Sequence, residues 1–350
     1  MTLTDTAPAP PATPAEPRGP GALLRLLPFL APALVLLVLA LLPFSALDIP
    51  GLLDGPVNSP GSLQLFALCL LFAGLALSYD LMFGRTGLLS FGHALYVAGG
   101  AYGTQLAMTH LGLALLPAVL LTLATGTLLA VLIGAVSLRS VALGPIGFAM
   151  VTLAFAQAGA IWVERNPGGL TGGEEGLTLS TDGVPEALVG VQNTANVYWL
   201  ALAYLVLVAA VVWTAVSRPV GRTWQGIRDN EQRVAVLGRS PFAYKLAAFT
   251  LASALAVLGG ALHLLVTAGA TPRTSTPDFT LTLLVMVVLG GSGTRWGPVI
   301  GGVLFTYLDQ RLPGWDLGLE PMLVLGTLFV VAVYVAPGGL AALKRRRRSA

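Results

Sequence analysis

The sequence predicts an all-α polytopic membrane protein with about ten transmembrane helices. Three observations carry this. Apolar residues make up 55% of the 350 and charged residues only 10%, far below the rough quarter of charged residues usual in soluble domains. Apolar runs of about twenty residues, long enough to cross the hydrocarbon core as a helix, recur along the chain. The period-two alternation of an outer-membrane strand is sustained nowhere.

Residues 1–22, "MTLTDTAPAPPATPAEPRGPGA", are rich in proline and alanine and lack an apolar period, which reads as a disordered tail. The run from Leu23 to Leu47 follows a long polar tail, exceeds a usual signal-peptide core and lacks a good A-x-A site, so it reads as a retained first span. Further spans are expected at 63–83, 87–109, 113–138, 141–163, 197–216, 246–268, 279–293, 297–311 and 321–337. The third, eighth and ninth are short and crowded with glycine, as in "GRTGLLSFGHALYVAGGAYG" and "LGGSGTRWGPVIGGVLF". The membrane domain thus covers 23–337, and 338–350, with "KRRRR", forms a basic tail.

Orientation follows from the placement of Lys and Arg, since cytoplasmic flanks carry the basic excess. With the N-terminus inside, the inner side receives Arg18, Arg25, Arg85, Arg139, six residues of the stretch 217–245, Arg295 and the five of "KRRRR", which is 16 of 19. Arg165, Arg273 and Arg311 remain outside. Acidic residues divide the other way, eleven outside against five inside. Both termini are therefore expected in the cytoplasm, the polar loop 164–196 outside and the segment 217–245 inside.

Several chemistries have no support. The lone cysteine, Cys69, lies in an apolar run, so no disulfide or Cys-based metal site can form within the chain. His93, His110 and His263 are scattered and form no metal-binding spacing. The two lysines, Lys245 and Lys344, are followed by leucine and arginine, so no phosphate-binding P-loop exists. No cofactor or metal is implied, and ATP, if it drives this protein, must be hydrolysed by another subunit.

The segment 217–245 is a charged island in an apolar chain. Trp224, Ile227, Val234 and Gly238 fall at helical offsets on one face, with Arg228 and Arg239 on others as rim charges. Gly238 can end the helix in the left-handed conformation, and Ser240 and Pro241 suit the N-cap and first position of the next one. A short amphipathic helix lying along the membrane is expected. It suits either contact with anionic lipid or docking into a groove of a soluble partner.

The run from Glu231 through Ala235 to Gly238 resembles the E-A-A-x-x-x-G signature of ABC importer permeases. Around it, in order, stand "GRTGLLSFGHALYVAGGAY", "GFAMVTLAFAQ", "NPGGLTGGEEGL", "GRTWQGIRDNEQRVAVLG", "KLAAFTLASALAVLGGAL" and "LVMVVLGGSGTRWGPVIGG". Together they resemble the branched-chain amino acid permease family of ABC importers, in its longer, M-type subunit, from about residue 75 to 335. The resemblance implies a cytoplasmic coupling helix and a multi-pass place in a prokaryotic inner membrane. It also implies a second permease subunit, two cytoplasmic ATPase subunits and an external substrate-binding protein. Trp224, Ile227, Arg228, Asp229, Glu231, Ala235 and Gly238 are then the ATPase-coupling residues. Asp229-Asn230-Glu231 departs from the family's common Glu-Asn-Glu by one conservative change. In the outer loop, Asn166, Thr171, Gly172, Gly173 and Gly176 are set to meet the binding protein.

Glycine pairs such as Gly99-Gly100, Gly259-Gly260 and Gly301-Gly302 read most simply as close helix contacts. Two glycine-rich stretches have a second reading as helix breaks that expose backbone dipoles along a substrate path. Their residues are Gly87, Ser90, Gly92 and His93 in the first, and Gly290, Gly291, Gly293 and Gly297 in the second. His93 and His263 read as hydrogen-bonded interior residues, with substrate contact as the alternative. Asp80 is expected to pair with Arg85.

The leading function is a permease subunit for branched-chain or related amino acids. Urea, short amides or other small polar solutes are alternatives within the family. An ion-coupled secondary transporter needs midplane carboxylates, and only Asp80 and Asp309, both near span ends, are on offer.

Overall fold

We analysed a computed structural model, which describes residues 34–48, 53, 55–139, 144–314, 320–335 and 338–341. The tail 1–22 and the "KRRRR" run lie outside the described residues. The chain divides after Leu42 into two compact units. A short apolar helix, α1 (Leu34–Phe44), begins in the first.

The larger unit is helical almost throughout. Its elements are α2 (Pro60–Thr86), α3 (His93–Leu111), α4 (Leu115–Arg139), α5 (Gly144–Glu164), α6 (Thr194–Ser217), α7 (Pro219–Asp229) and α8 (Glu231–Val236), then α9 (Pro241–Val266), α10 (Pro277–Gly290), α11 (Gly297–Arg311) and α12 (Pro321–Val335). Among the described residues, five helices are long and apolar enough to cross a bilayer, within α2, α4, α5, α6 and α9. α10 and α11, at 14 and 15 residues, reach only about 21–23 Å at 1.5 Å per residue. The long exposed leucines of α4, among them Leu116, Leu120, Leu128 and Leu132, suit hydrocarbon rather than water. The chain is thus an all-α membrane protein.

Two helices form the centre. In α2 and α9, 78% of the apolar window is buried, against 22% in α4. α2 packs on α6, α9 and α11, while α9 packs on α2, α3 and α4. Small residues make this possible where lipid supplies no hydrophobic drive between helices. Gly74 of α2 and Gly259 of α9 leave the space filled by the Tyr204 ring of α6, whose hydroxyl donates to the Leu255 carbonyl at 3.0 Å. Gly302 of α11 lies against the backbone of Ala73. The packing reading of the glycine pairs holds at these positions, whereas a Cβ on Gly99 would meet nothing within 4 Å.

Boundaries differ from expectation where glycine interrupts. The span expected at 87–109 starts at His93, because Gly87 takes φ 73° and ends α2, its N–H donating to the Met82 and Phe83 carbonyls. The span expected at 279–293 stops at Gly290, since Gly291 takes φ 115°. The island at 217–245 is two helices, not one. Asn230 adopts an extended φ of −162° between α7 and α8, and its Oδ1 accepts from the Arg233 N–H at 2.9 Å, capping α8.

On the opposite end of the bundle a short antiparallel ladder joins β1 (Leu177–Thr178) to β2 (Gly269–Ala270), pairing Leu177 with Ala270 and Thr178 with Gly269. It ties the long loop after α5 to the end of α9.

Candidate functional site: the segment of α7 and α8 and the helix breaks it touches

The segment of α7 and α8 is anchored from beneath. Trp224, Ile227 and Val234 are buried, and the Trp224 indole N–H donates to the Tyr244 carbonyl at 2.8 Å. These are the residues whose helical spacing marked an apolar face, and that face is turned into the protein. Glu231 also turns inward, its Oε2 2.5 Å from Lys245 Nζ at the start of α9. Asp229, Ala235 and Gly238 are exposed.

Sequence reasoning missed the two residues most open to a partner. Val236 and Leu237 are 87% and 76% exposed at the end of α8. Their signal was present in "AVLG", two apolar residues off the buried face just before a turn. Gly238 makes that turn at φ 78°, with its N–H donating to the Ala235 carbonyl at 3.0 Å and that of Arg239 to Val234 at 3.3 Å. Ser240 stands at the N-cap of α9 and Pro241 at its first position, although the serine hydroxyl makes no capping bond.

Arg228 is exposed, as expected of a rim charge, and its guanidinium also reaches back to the helix bundle. Its Nη1 donates to the carbonyl of Gly84, near the end of α2. There it joins Asp80, whose Oδ1 accepts from the Gly293 N–H at 2.7 Å. Arg85 completes the group: its Nε lies 3.9 Å from Asp80 Oδ2, as expected, and its Nη2 donates to the Thr294 carbonyl at 3.1 Å. The turn between α10 and α11 is further held by Trp213 of α6. Its indole N–H donates to the Arg295 carbonyl at 3.2 Å, with the Arg295 guanidinium 4.9 Å from the Trp213 ring.

The first helix break, residues 87–92, is packed with polar contacts. His93 Nε2 lies 3.0 Å from Ser78 Oγ, and that hydroxyl donates its one proton to the Leu75 carbonyl at 2.7 Å. His93 is therefore the donor, through the Nε2–H tautomer. The Tyr79 hydroxyl donates to the Ser90 carbonyl at 2.9 Å, and Ser90 Oγ accepts from the Gly92 N–H at 3.1 Å. Two hydroxyls from other helices serve backbone N–H groups here: Thr152 of α5 takes that of Phe91 at 3.2 Å, and Thr280 of α10 that of Ala94 at 2.9 Å. Ser90 and His93 are buried, so His93 takes the interior, hydrogen-bonded place.

In the second break, Gly290, Gly297 and Gly301 form the tight corner of α10 and α11, where a Cβ on Gly290 or Gly301 would overlap the backbone of the facing helix. Gly291 lies against Gly338 and Gly339. Only Gly293 of these, at φ 71°, turns toward α7, beside Arg228.

In the loop after α5, Asn166 is the organiser. Its Oδ1 accepts from the Thr171 N–H at 2.8 Å and the Gly172 N–H at 3.1 Å, while the Thr171 hydroxyl donates its one proton to the Val163 carbonyl at 2.6 Å. Thr171 and Gly173 are buried, and Gly176 lies against the backbone of Ala270 and Thr271. Those residues frame the loop, and the exposed tip is Glu174 and Glu175. Among the described residues no three His, Cys, Asp or Glu side chains converge to hold a metal ion.

The family of branched-chain amino acid transport system permease components matches residues 62–333. The chain belongs to that family. The match spans the permease from the first turn of α2 to α12, including α7, α8 and both helix breaks. The permease is 27% identical over 313 residues to the high-affinity branched-chain amino acid transport system permease protein LivM of Salmonella typhimurium, covering 82% of this chain and 71% of that one. It is 28% identical over 317 residues, with the same coverage, to LivM of Escherichia coli K12. A probable LivM of Methanocaldococcus jannaschii is 25% identical over 326 residues, 80% of the permease and 94% of the relative. No solved structure matches the permease at a significant level. The M-type resemblance read from the sequence is borne out.

Proposed function

We propose that this permease is a pathway subunit of an ATP-driven importer for branched-chain or related amino acids. It works with a second permease, two ATPase subunits and an external binding protein. About ten spans place both termini and the docking segment in the cytoplasm and the loop 164–196 outside. The basic asymmetry, 16 of 19 Lys and Arg inside, supports this orientation. A reporter fused after Asp182 that reads cytoplasmic would overturn it.

One observation carries the reading beyond the family. A short two-helix segment rests on Trp224, Ile227 and Val234 and presents Val236 and Leu237 outward, as suits insertion into a groove of a soluble protein. A helix that rested on lipid through its main apolar face would leave Trp224 and Ile227 outward, and they are buried. The chain has no P-loop, so hydrolysis falls to the partners.

The experiment is reconstitution in liposomes. With the ATPases, second permease and binding protein, labelled leucine, isoleucine or valine should accumulate on ATP addition, and without them the permease should neither hydrolyse ATP nor transport. Uptake by this chain alone on a proton or sodium gradient would favour a secondary transporter. Preferential uptake of urea or a short amide by the full assembly would move the substrate within the family.

A further inference from the structure

The contact between Arg228 and the end of α2 joins three elements far apart in sequence. Gly84 lies in the last turn of α2, where helix carbonyls lack partners within the helix and carry the negative end of its dipole. A guanidinium there satisfies an orphan acceptor and opposes that partial charge. Arg228 Nη1 does so from α7. The same nitrogen stands beside Gly293: a Cβ on that glycine would lie 2.7 Å from it and 2.9 Å from the Gly84 carbonyl oxygen. Asp80 then ties α2 to the Gly293 N–H, and Arg85 ties it to Thr294. The stem of Arg228 also packs beside Gly87, the left-handed residue at which α2 ends.

We propose that Arg228 is a positioning residue that passes movement of the docking segment to both helix breaks. The inference rests on the importer reading above and deepens it. Val236 and Leu237 meet the partner, while Arg228, itself exposed, reaches back with its guanidinium and links α7 to the end of α2 and the α10–α11 turn. From these two points the chain continues into the break at 87–92, which sets the start of α3, and into the glycine corner of α10 and α11. Arg suits the position because its planar fork holds a fixed direction toward a carbonyl in a crowded joint. Docking and transmission are thus assigned to different side chains of one segment.

The test uses the complete reconstituted importer and reads labelled leucine taken up per ATP hydrolysed, beside co-purification of the ATPase. Arg228→Gln is expected to retain the ATPase and to lower uptake per ATP about tenfold or more. Arg228→Lys, which keeps a cation on a long stem, should recover part of the loss. Uptake per ATP within twofold of wild type in Arg228→Gln would overturn the proposal. So would loss of the ATPase from that variant, because it would place Arg228 on the docking surface.

A second measurement does not depend on transport. A Cβ on Gly87 would lie 3.8 Å from Arg228 Cβ, a separation suited to a disulfide. Gly87→Cys combined with Arg228→Cys should cross-link on mild oxidation, seen as a mobility shift reversed by reductant, in the full chain in its membrane. No cross-link would overturn the joint itself. An intact cross-link with a wild-type chain that binds no ATPase would instead overturn the importer reading, and the transmission role with it.

Discussion

Gly100 of α3 and Gly260 of α9 face each other so closely that a Cβ on Gly100 would overlap the Val257 carbonyl, and one on Gly260 the Val97 carbonyl. The two helices touch backbone to backbone at this point. Gly260→Val should push them apart at an overpacking cost of about 1–3 kcal/mol, lowering the melting temperature in detergent. Gly99→Val, at a position with nothing within 4 Å, is the control and should change it little.

Lys245 is buried at the start of α9 and meets the half-exposed Glu231. Removing the carboxylate strands a buried ammonium, which costs more than the pair itself contributes. Partial exposure of Glu231 lets water screen the loss, so Glu231→Ala should destabilise by about 1–2 kcal/mol. Lys245→Met should recover part of this in the double variant. Equal melting temperatures for Glu231→Ala and wild type would remove the pair from the argument.

Leu237 and Gly238 separate surface from backbone. Leu237→Glu changes an exposed side chain, so stability should move by no more than about 0.5 kcal/mol. ATPase co-purification should fall about tenfold or more, as for a central apolar contact worth more than about 1.4 kcal/mol. Gly238 has φ 78° and open space around it, so Gly238→Val is penalised by conformation alone, at about 1 kcal/mol or more. Gly238→Asn, which tolerates that φ, should retain the ATPase where valine loses it.

Asn166 combines φ 47° with two accepted backbone hydrogen bonds. Asn166→Ala loses the acceptor and keeps the strain, an expected cost of about 2–3 kcal/mol local to the loop. Limited proteolysis should then cut near Glu174 and Glu175 faster, with binding-protein-dependent uptake reduced. Asn166→Asp keeps an acceptor and should restore both. Unchanged cleavage in Asn166→Ala would show that the ladder to Ala270 holds the loop without it.

What the sequence made legible was what local pattern encodes. α2, α4, α6 and α9 stood out as long uninterrupted apolar runs, and the Trp224, Ile227 and Val234 face was readable from its spacing. The Gly238 turn was readable because the left-handed conformation favours glycine. The break at Asn230 was not, since a polar residue inside a helical period looks like any exposed position until its side chain caps the next turn. Arg228 looked like a rim charge and nothing more because Gly84, its acceptor, is 144 residues away in the chain. The inward bonds of Asn166 and Thr171 were not legible either, because polar loop residues look alike until burial and hydrogen bonds tell them apart.

The ladder between Leu177 and Ala270 has a consequence for how the protein is made. Its second strand is synthesised 93 residues after its first, a wait of about 5–20 s at cellular rates of about 5–20 residues per second. During that interval α6 and α9 must be inserted and the α7–α8 segment made, while the loop after α5 stands with its edge unpaired. The loop therefore closes late in biogenesis, and it is the completed α9 that gives it its final shape.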